Sequence, residues 1–143
     1  MKRFHVNVAV TDIEKSVDFY QTLFGAEPSV LKQDYAKWML EDPRINFSIN
    51  LSSRSRALDH IGLQADSLAE QGELEARLRE PGTRTFDQPD AECCYAKSEK
   101  TWVRDPDDVA WETFVTHGQI THYGDDHTPP AGESLAKAGR CCA

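Results

Sequence analysis

The sequence predicts an α+β fold: two βαβββ modules whose strands form a curved mixed sheet with the helices outside. Three observations carry this prediction. "FHVNVAVTDIEKSVDFYQTLFG" alternates in polarity, shifts to helical spacing and then stops at glycine. "DHIGLQADSLAEQGELEARLREPG" repeats that order 55 residues on, from His5 to His60, as an internal duplication does. Short β runs separated by turn residues follow each copy.

In the first strand Phe4, Val6, Val8 and Val10 share one face and His5, Asn7 and Ala9 the other, because strand side chains alternate. Thr11 and Glu14 read as a capping box, a hydroxyl and a carboxylate satisfying N–H groups at a helix start. Ile13, Val17, Tyr20 and Phe24 form the apolar stripe of that helix, and Gly25 ends it. The β runs "EPSVLKQ", "YAKWML" and "INFSINLS" complete the module, broken at Asp34 and at Glu41-Asp42-Pro43.

In the second copy Ile61, Leu63 and Ala65 oppose His60, Gly62 and Gln64. Ser67 and Glu70 repeat the capping box, Leu68, Leu74 and Leu78 supply a thinner stripe, and Pro81-Gly82 stop the helix. "TRTFDQ", a segment around "CCYAKSE", "TWVRD" and "VAWETFV" read as its strands. "RDPDDVAW" is a hairpin turn, with Pro106 fixing φ and Asp107-Asp108 tolerating turn dihedrals. The modules span residues 1–53 and 57–116. Residues 117–143 are polar, aperiodic and Gly- and Pro-bearing, so a mobile tail is expected there.

At 143 residues the chain is one domain or two small fused modules, long enough to bury a core. A net charge of -8 argues against nucleic acid as a partner, since phosphate contacts need clustered Lys and Arg. No apolar run approaches the roughly 20 residues of a membrane span, so no membrane partner is expected. The basic start soon alternates and meets Asp12, without a signal-peptide apolar region, which predicts a cytoplasmic location with reduced thiols. The 4 cysteines form two adjacent pairs, Cys93-Cys94 and Cys141-Cys142. Neither pair has C-x-x-C spacing, and a disulfide between neighbours closes a strained ring, so free thiols are expected.

Duplicated modules related by a pseudo-twofold axis bring their first strands together around a cleft. His5 and His60 then face one another on its polar side. In the last strand Ala110, Glu112 and Phe114 share a face, while Trp111, Thr113 and Val115 take the other. A carboxylate in so apolar a run needs a cation or partner. Two histidines and one glutamate make a 2-His-1-carboxylate set, which leaves positions on Fe(II) open for dioxygen and substrate. Cys93 and Cys94 would point to opposite faces of a regular strand. To act together they need a loop or bulge over residues 87–95, for which "DQPDAE" supplies breakers. Paired thiolates suit a thiophilic atom such as trivalent arsenic or cadmium, and Lys97 and Lys100 nearby favour the thiolate forms. The polar company of Asp90, Glu92 and Lys97 argues against simple core packing of the pair. His117, His122 and His127 fall in the tail and are expected to be solvated.

The duplication, the two histidines and "DPDDVAWE" resemble the vicinal oxygen chelate superfamily, which includes glyoxalase I, fosfomycin-resistance proteins and extradiol dioxygenases. The resemblance covers about residues 1–116. That superfamily usually carries Asp-Pro-x-Gly before its liganding Glu; Asp108 stands here at the Gly position, and Asp can enter the left-handed region. The resemblance implies a metal cleft with His5, His60 and Glu112 as ligands of ferrous iron, as in the extradiol subset. Glyoxalase-type members take a fourth ligand from the fourth strand of module one, where "INFSINLS" offers only Asn46 and Asn50. An open iron site is favoured over a closed zinc site. With the paired cysteines, the resemblance narrows to the cadmium-induced and arsenic-resistance branch, and within it to the non-haem iron C–As lyases.

It implies an Fe(II)-dependent dioxygenase, with dioxygen as co-substrate, that releases arsenite from methylarsenite or trivalent aromatic arsenicals. Cys93 and Cys94 would hold arsenic, and Cys141 and Cys142 would capture it from the tail. Asn7, Gln64 and Tyr95 would orient ligands or line the pocket. The partner is a small organoarsenical, and a homodimer is the assembly considered. The rivals are a protein that sequesters cadmium or arsenite without turnover, and a glyoxalase-like or fosfomycin-modifying Zn or Mn enzyme.

Overall fold

The computed structural model describes residues 1–53, 57–79 and 83–124. The chain divides into two units, one of Arg3–Gly62 and one of Met1–Lys2 with Leu63–Ala143. The boundary falls inside a strand rather than between the modules read from the sequence. Residues 125–143, with His127, Cys141 and Cys142, lie outside the described residues, as does the Pro81-Gly82 helix stop.

The first unit runs β1 (Arg3–Val10), α1 (Ile13–Phe24), β2 (Val30–Leu31), β3 (Tyr35–Glu41), β4 (Arg44–Leu51), then most of β5 (Ala57–Gln64). The βαβββ order is borne out. Its strands are hydrogen-bonded in the order β2-β3-β4-β1-β5. β1 runs parallel to β4, and β3 antiparallel to β4, which makes the sheet mixed. α1 buries Ile13 and Val17, and Tyr20 and Phe24 pack with Trp38 and Phe47, whose burial against Ala36 and Ile49 forms the core. Trp38 is fully buried and donates its Nε1–H to the Ala26 carbonyl at 3.0 Å, so its one polar atom is satisfied. Val6, Val8 and Val10 join this core, while His5, Asn7 and Ala9 are buried on the opposite face of β1.

The N-cap of α1 is Asp12, not Thr11: the Asp12 carboxylate accepts the Lys15 N–H at 3.0 Å. A carboxylate both accepts the bond and complements the positive end of the helix dipole, which a hydroxyl one residue earlier does not. Gly25 ends the helix with φ 62, the left-handed conformation that glycine enters without a Cβ clash.

The second unit adds α2 (Leu68–Leu78), β6 (Phe86–Cys93), β7 (Ala96–Arg104) and β8 (Ala110–Gln119), its strands in the order β8-β7-β6. β6–β7 and β7–β8 are antiparallel, and βαβββ recurs when counted from β5. "CCYAKSE" and "TWVRD" are not separate strands. Cys93 ends β6, Cys94 and Tyr95 turn, and β7 then runs unbroken to Arg104. Likewise β8 continues to Gln119, past the module boundary read at residue 116.

Ser67 caps α2 through the Glu70 N–H at 3.2 Å, but the Glu70 carboxylate accepts from Asp66 N–H rather than closing the box on Ser67. The apolar stripe is also rotated from the expected one: Leu68 is 64% exposed and Gln71 only 2%. Gln71 can be buried because its Nε2 donates to the Thr113 carbonyl and Oγ1, each at 3.1 Å, and to Glu75 at 3.1 Å. The apolar core beside it is small, Ala65, Leu74 and Val115 with Leu63. Among the described residues no helix is long and apolar enough to cross a membrane.

The turn before β8 places Asp108 at φ 67, so aspartate does occupy the position where the superfamily pattern has glycine. Asp105 organises it. Its Oδ1 accepts N–H groups of Asp107 and Val109 at 3.0 Å each, and its Oδ2 accepts Trp111 Nε1–H at 3.2 Å. These bonds, the one from Val109 foremost, hold the Asp105 carboxyl below its ordinary pKa. A depressed carboxylate contributes stability above its unfolded pKa of about 3.9, and loses it as pH falls through the folded value. Asp105→Asn should therefore melt below the parent near neutral pH, with the gap closing below about pH 4. Thermal melts across that range check this; a gap that persists undiminished into acid contradicts it.

Candidate metal and thiol sites

In the first unit β1 and β4 lie side by side, with His5 opposite Asn46 and Asn7 opposite Ser48. All four residues are buried, a polar row on the face turned away from the apolar core. Asn7 Nδ2 donates to Ser48 Oγ at 2.8 Å, which keeps the row internally bonded. His5 Nδ1 lies 3.0 Å from the Asn46 carbonyl oxygen, and His60 Nδ1 lies 2.7 Å from Asp59 Oδ2. A carbonyl and an ionised carboxylate only accept, so each Nδ1 donates a proton to its partner and each ring turns Nε2 toward the other. The two Nε2 atoms face one another at 3.1 Å. Nitrogens facing one another at that distance can share a cation, a proton or a metal ion. Imidazoles bound at right angles to one ion at about 2.1 Å place their nitrogens about 3.0 Å apart. The residues fit a metal.

Glu112 lies in the second unit, 2% exposed, on the face of β8 that it shares with buried Ala110 and Phe114, as alternation predicted. Its neighbour on β7 is a residue that sequence reasoning placed near the thiols only. Lys100, itself buried, holds its Nζ 3.3 Å from Glu112 Oε2 and 5.7 and 5.9 Å from the ring centres of Trp102 and Phe114. The aromatic faces and the carboxylate together compensate a buried ammonium. Lys97 behaves differently, pairing with Asp90 at 3.4 Å with both side chains partly exposed.

The cysteines do escape regular alternation. β6 is bulged between Gln88 and Ala91, and Cys94 and Tyr95 form a hairpin turn with φ 57 and 62. Left-handed conformation at both central positions is the geometry that Asn-Gly usually fills. Cys and Tyr adopt it at a cost of order 1 kcal/mol each. The result is convergence: the two Sγ atoms lie 2.6 Å apart, Cys93 buried and Cys94 half-buried. The hydrogen bond with Cys93 is the largest influence on the Cys94 thiol and pulls it below its ordinary pKa. Burial opposes this, while the Lys100 charge and a hydrogen bond with Tyr123 reinforce it.

Tyr123 was hidden in what reads as tail; its ring meets that of Tyr95 edge-on, centroids 5.9 Å apart. Tyr95 therefore belongs to the thiol turn, and Asn7 to the row that carries His5. Gln64 is half-buried on β5, at the alternate position from His60 and Gly62. His117 lies in β8, 3.3 Å from Glu99, and His122 lies 3.5 Å from Glu92, both on the surface.

Residues 2–113 match the family described as Glyoxalase/Bleomycin resistance protein/Dioxygenase superfamily. The chain belongs to that superfamily. Within it, a trivalent organoarsenical cleaving enzyme from Bacillus sp. (strain MD1) is 38% identical over 148 residues, covering 100% of this chain and 91% of the relative. The cadmium-induced protein CadI of Mycobacterium bovis is 29% identical over 144 residues, covering 99% of this chain and 93% of the relative. An extradiol ring-cleaving dioxygenase from B. fuscum shares the fold with a TM-score of 0.61 at 20% identity, over 82% of this chain and 33% of that one. The superfamily and the arsenic and cadmium branch suggested by the sequence are both borne out.

The Lys100–Glu112 pair yields a stability prediction. Removing the ammonium leaves a carboxylate buried without it, a loss of about 3–5 kcal/mol. Lys100→Met should show that loss in urea denaturation of chelator-treated protein; a change below about 1 kcal/mol, as for an exposed pair, contradicts it.

Proposed function

We propose that the protein is a non-haem Fe(II)-dependent dioxygenase that cleaves the carbon–arsenic bond of trivalent organoarsenicals. The observation that carries this reading is the convergence of the Cys93 and Cys94 thiols to 2.6 Å. Soft sulfur selects a thiophilic centre, and a trivalent arsenical can exchange two hydroxyls for two thiolates while keeping its carbon substituent. The relative at 38% identity, a trivalent organoarsenical cleaving enzyme, supports the same substrate class. His5, His60 and Glu112 are the proposed metal ligands, two neutral imidazoles and a carboxylate. Ferrous iron held by such a set supplies the chemistry of dioxygen activation.

The remaining work falls to the chain. The thiolates fix arsenic and so orient the carbon–arsenic bond before dioxygen arrives, which turns an encounter into a positioned reaction. Lys100 keeps a positive charge beside Glu112 and favours the thiolate of Cys94. For methylarsenite the atoms balance without a further reductant: methylarsenite and dioxygen give arsenous acid and formaldehyde.

A second reading, sequestration of cadmium or arsenite without turnover, is favoured by the likeness to CadI. One assay separates the two. Reduced, iron-loaded protein incubated with methylarsenite in air should release inorganic arsenite over many turnovers. His5→Ala, His60→Ala and Glu112→Ala should each bring the rate to background. Cys93→Ser, Cys94→Ser and the double variant should lose nearly alike, because a pair that acts as a unit is non-additive. Stoichiometric binding without arsenite release supports sequestration, and parent-level turnover in Glu112→Ala removes that residue from the metal set.

A further inference from the structure

The chain that follows β8 returns to the cysteine turn. Cys94 N–H donates to the Tyr123 carbonyl at 2.5 Å, and Ile120 N–H donates to the Tyr95 carbonyl at 3.2 Å. Cys93 forms an isolated β-bridge with Gly124. The Tyr95 and Tyr123 rings pack edge to face, and the Tyr123 side chain hydrogen-bonds Cys94. Gly124 has φ 84, and a Cβ there would stand 1.8 Å from the Glu92 carbonyl oxygen and 3.0 Å from Cys93 Cα. Glycine alone permits so close an approach of the two backbones.

Resting on the organoarsenical reading and deepening it, we propose that residues 120–124 are a strap that fixes the left-handed Cys94–Tyr95 turn so that both thiols meet one soft atom. Tyr123 and Gly124 are its positioning residues. The reason lies in the turn. Both central residues carry side chains that disfavour positive φ, so the hairpin alone does not hold this geometry as Asn-Gly would. Relaxation of either residue would rotate the Cys94 side chain away from Cys93. The strap engages the N–H of one turn residue and the C=O of the other, the two backbone groups that such a rotation must move.

The test uses the full chain carrying Cys141→Ser and Cys142→Ser, so that Cys93 and Cys94 are its only thiols. The probe is phenylarsine oxide, which binds two thiols at once. The parent should bind one probe per chain. Gly124→Val and Tyr123→Ala should each bind about tenfold more weakly or worse, a change of about 1.4 kcal/mol in binding. N-ethylmaleimide, which needs one thiol at a time, should still alkylate both cysteines. Adding Tyr95→Gly, which adopts the turn without strain, should restore probe affinity to within about threefold of the parent. Should Gly124→Val fail to fold, Tyr123→Ala introduces no clash and carries the same comparison and rescue. Parent-like affinity in both strap variants, or no rescue by Tyr95→Gly, overturns the strap while leaving the thiol pair standing. A parent that binds no phenylarsine oxide overturns the thiol-pair reading and the strap with it.

Discussion

Two imidazole nitrogens that face one another at 3.1 Å set the terms for the first unit. The Asn46 carbonyl and the Asp59 carboxylate each take an Nδ1–H from behind, which leaves Nε2 in front. Such backing bonds fix tautomer and orientation, and they raise the basicity of the nitrogen left in front. The arrangement suits a shared positive charge, a proton or a metal ion. It also explains why one face of β1 is polar and yet buried. Val6 and Val8 face the apolar core beneath α1, while His5 and Asn7 face a row in which Asn46 and Ser48 take their hydrogen bonds. Strand alternation lets eight residues serve a hydrophobic core and a buried polar row at once.

The second unit solves a related problem with other groups. A carboxylate, an ammonium and two thiols lie among aromatic rings, where each charge is costly unless another offsets it. Lys100 joins them: it balances Glu112 and lowers the cost of a Cys94 thiolate against the burial that opposes it. The strained turn puts the two sulfurs on the same side, which no regular strand could do. Polar bonding extends to the helix side of the same sheet, where buried Gln71 is held by Thr113 and Glu75 in place of a larger apolar core.

What could be read from the sequence depended on the range of the forces involved. Local periodicity was sufficient to place His5 and His60 at equivalent positions, to put Glu112 on its face of β8, and to find the α1 stripe and its Gly25 stop. The left-handed Asp108 was legible because turn chemistry is local. Competition between adjacent residues was not: Asp12 displaced Thr11 as the cap by carrying a charge as well as an acceptor. Nor were buried polar residues whose partners are distant in sequence. Gln71 looks like a surface residue until Thr113 supplies its acceptors, and Lys100 like a solvated one until Glu112 lies beside it. Tyr123 sits in an aperiodic, polar stretch, where nothing marks a residue that hydrogen-bonds a turn 29 positions earlier, at Cys94.

The opposed imidazoles can be observed directly. With ¹⁵N-labelled histidine, long-range proton–nitrogen correlation spectra report the tautomer of every ring and the atom at which a metal binds. Zn(II), a diamagnetic ion that takes imidazole nitrogen readily, serves as the probe in chelator-treated protein. His5 and His60 should both be protonated at Nδ1, and both Nε2 resonances should shift together, saturating at one equivalent of metal. A shift at only one ring, coordination through Nδ1, or no response at either Nε2 would contradict a shared metal between them.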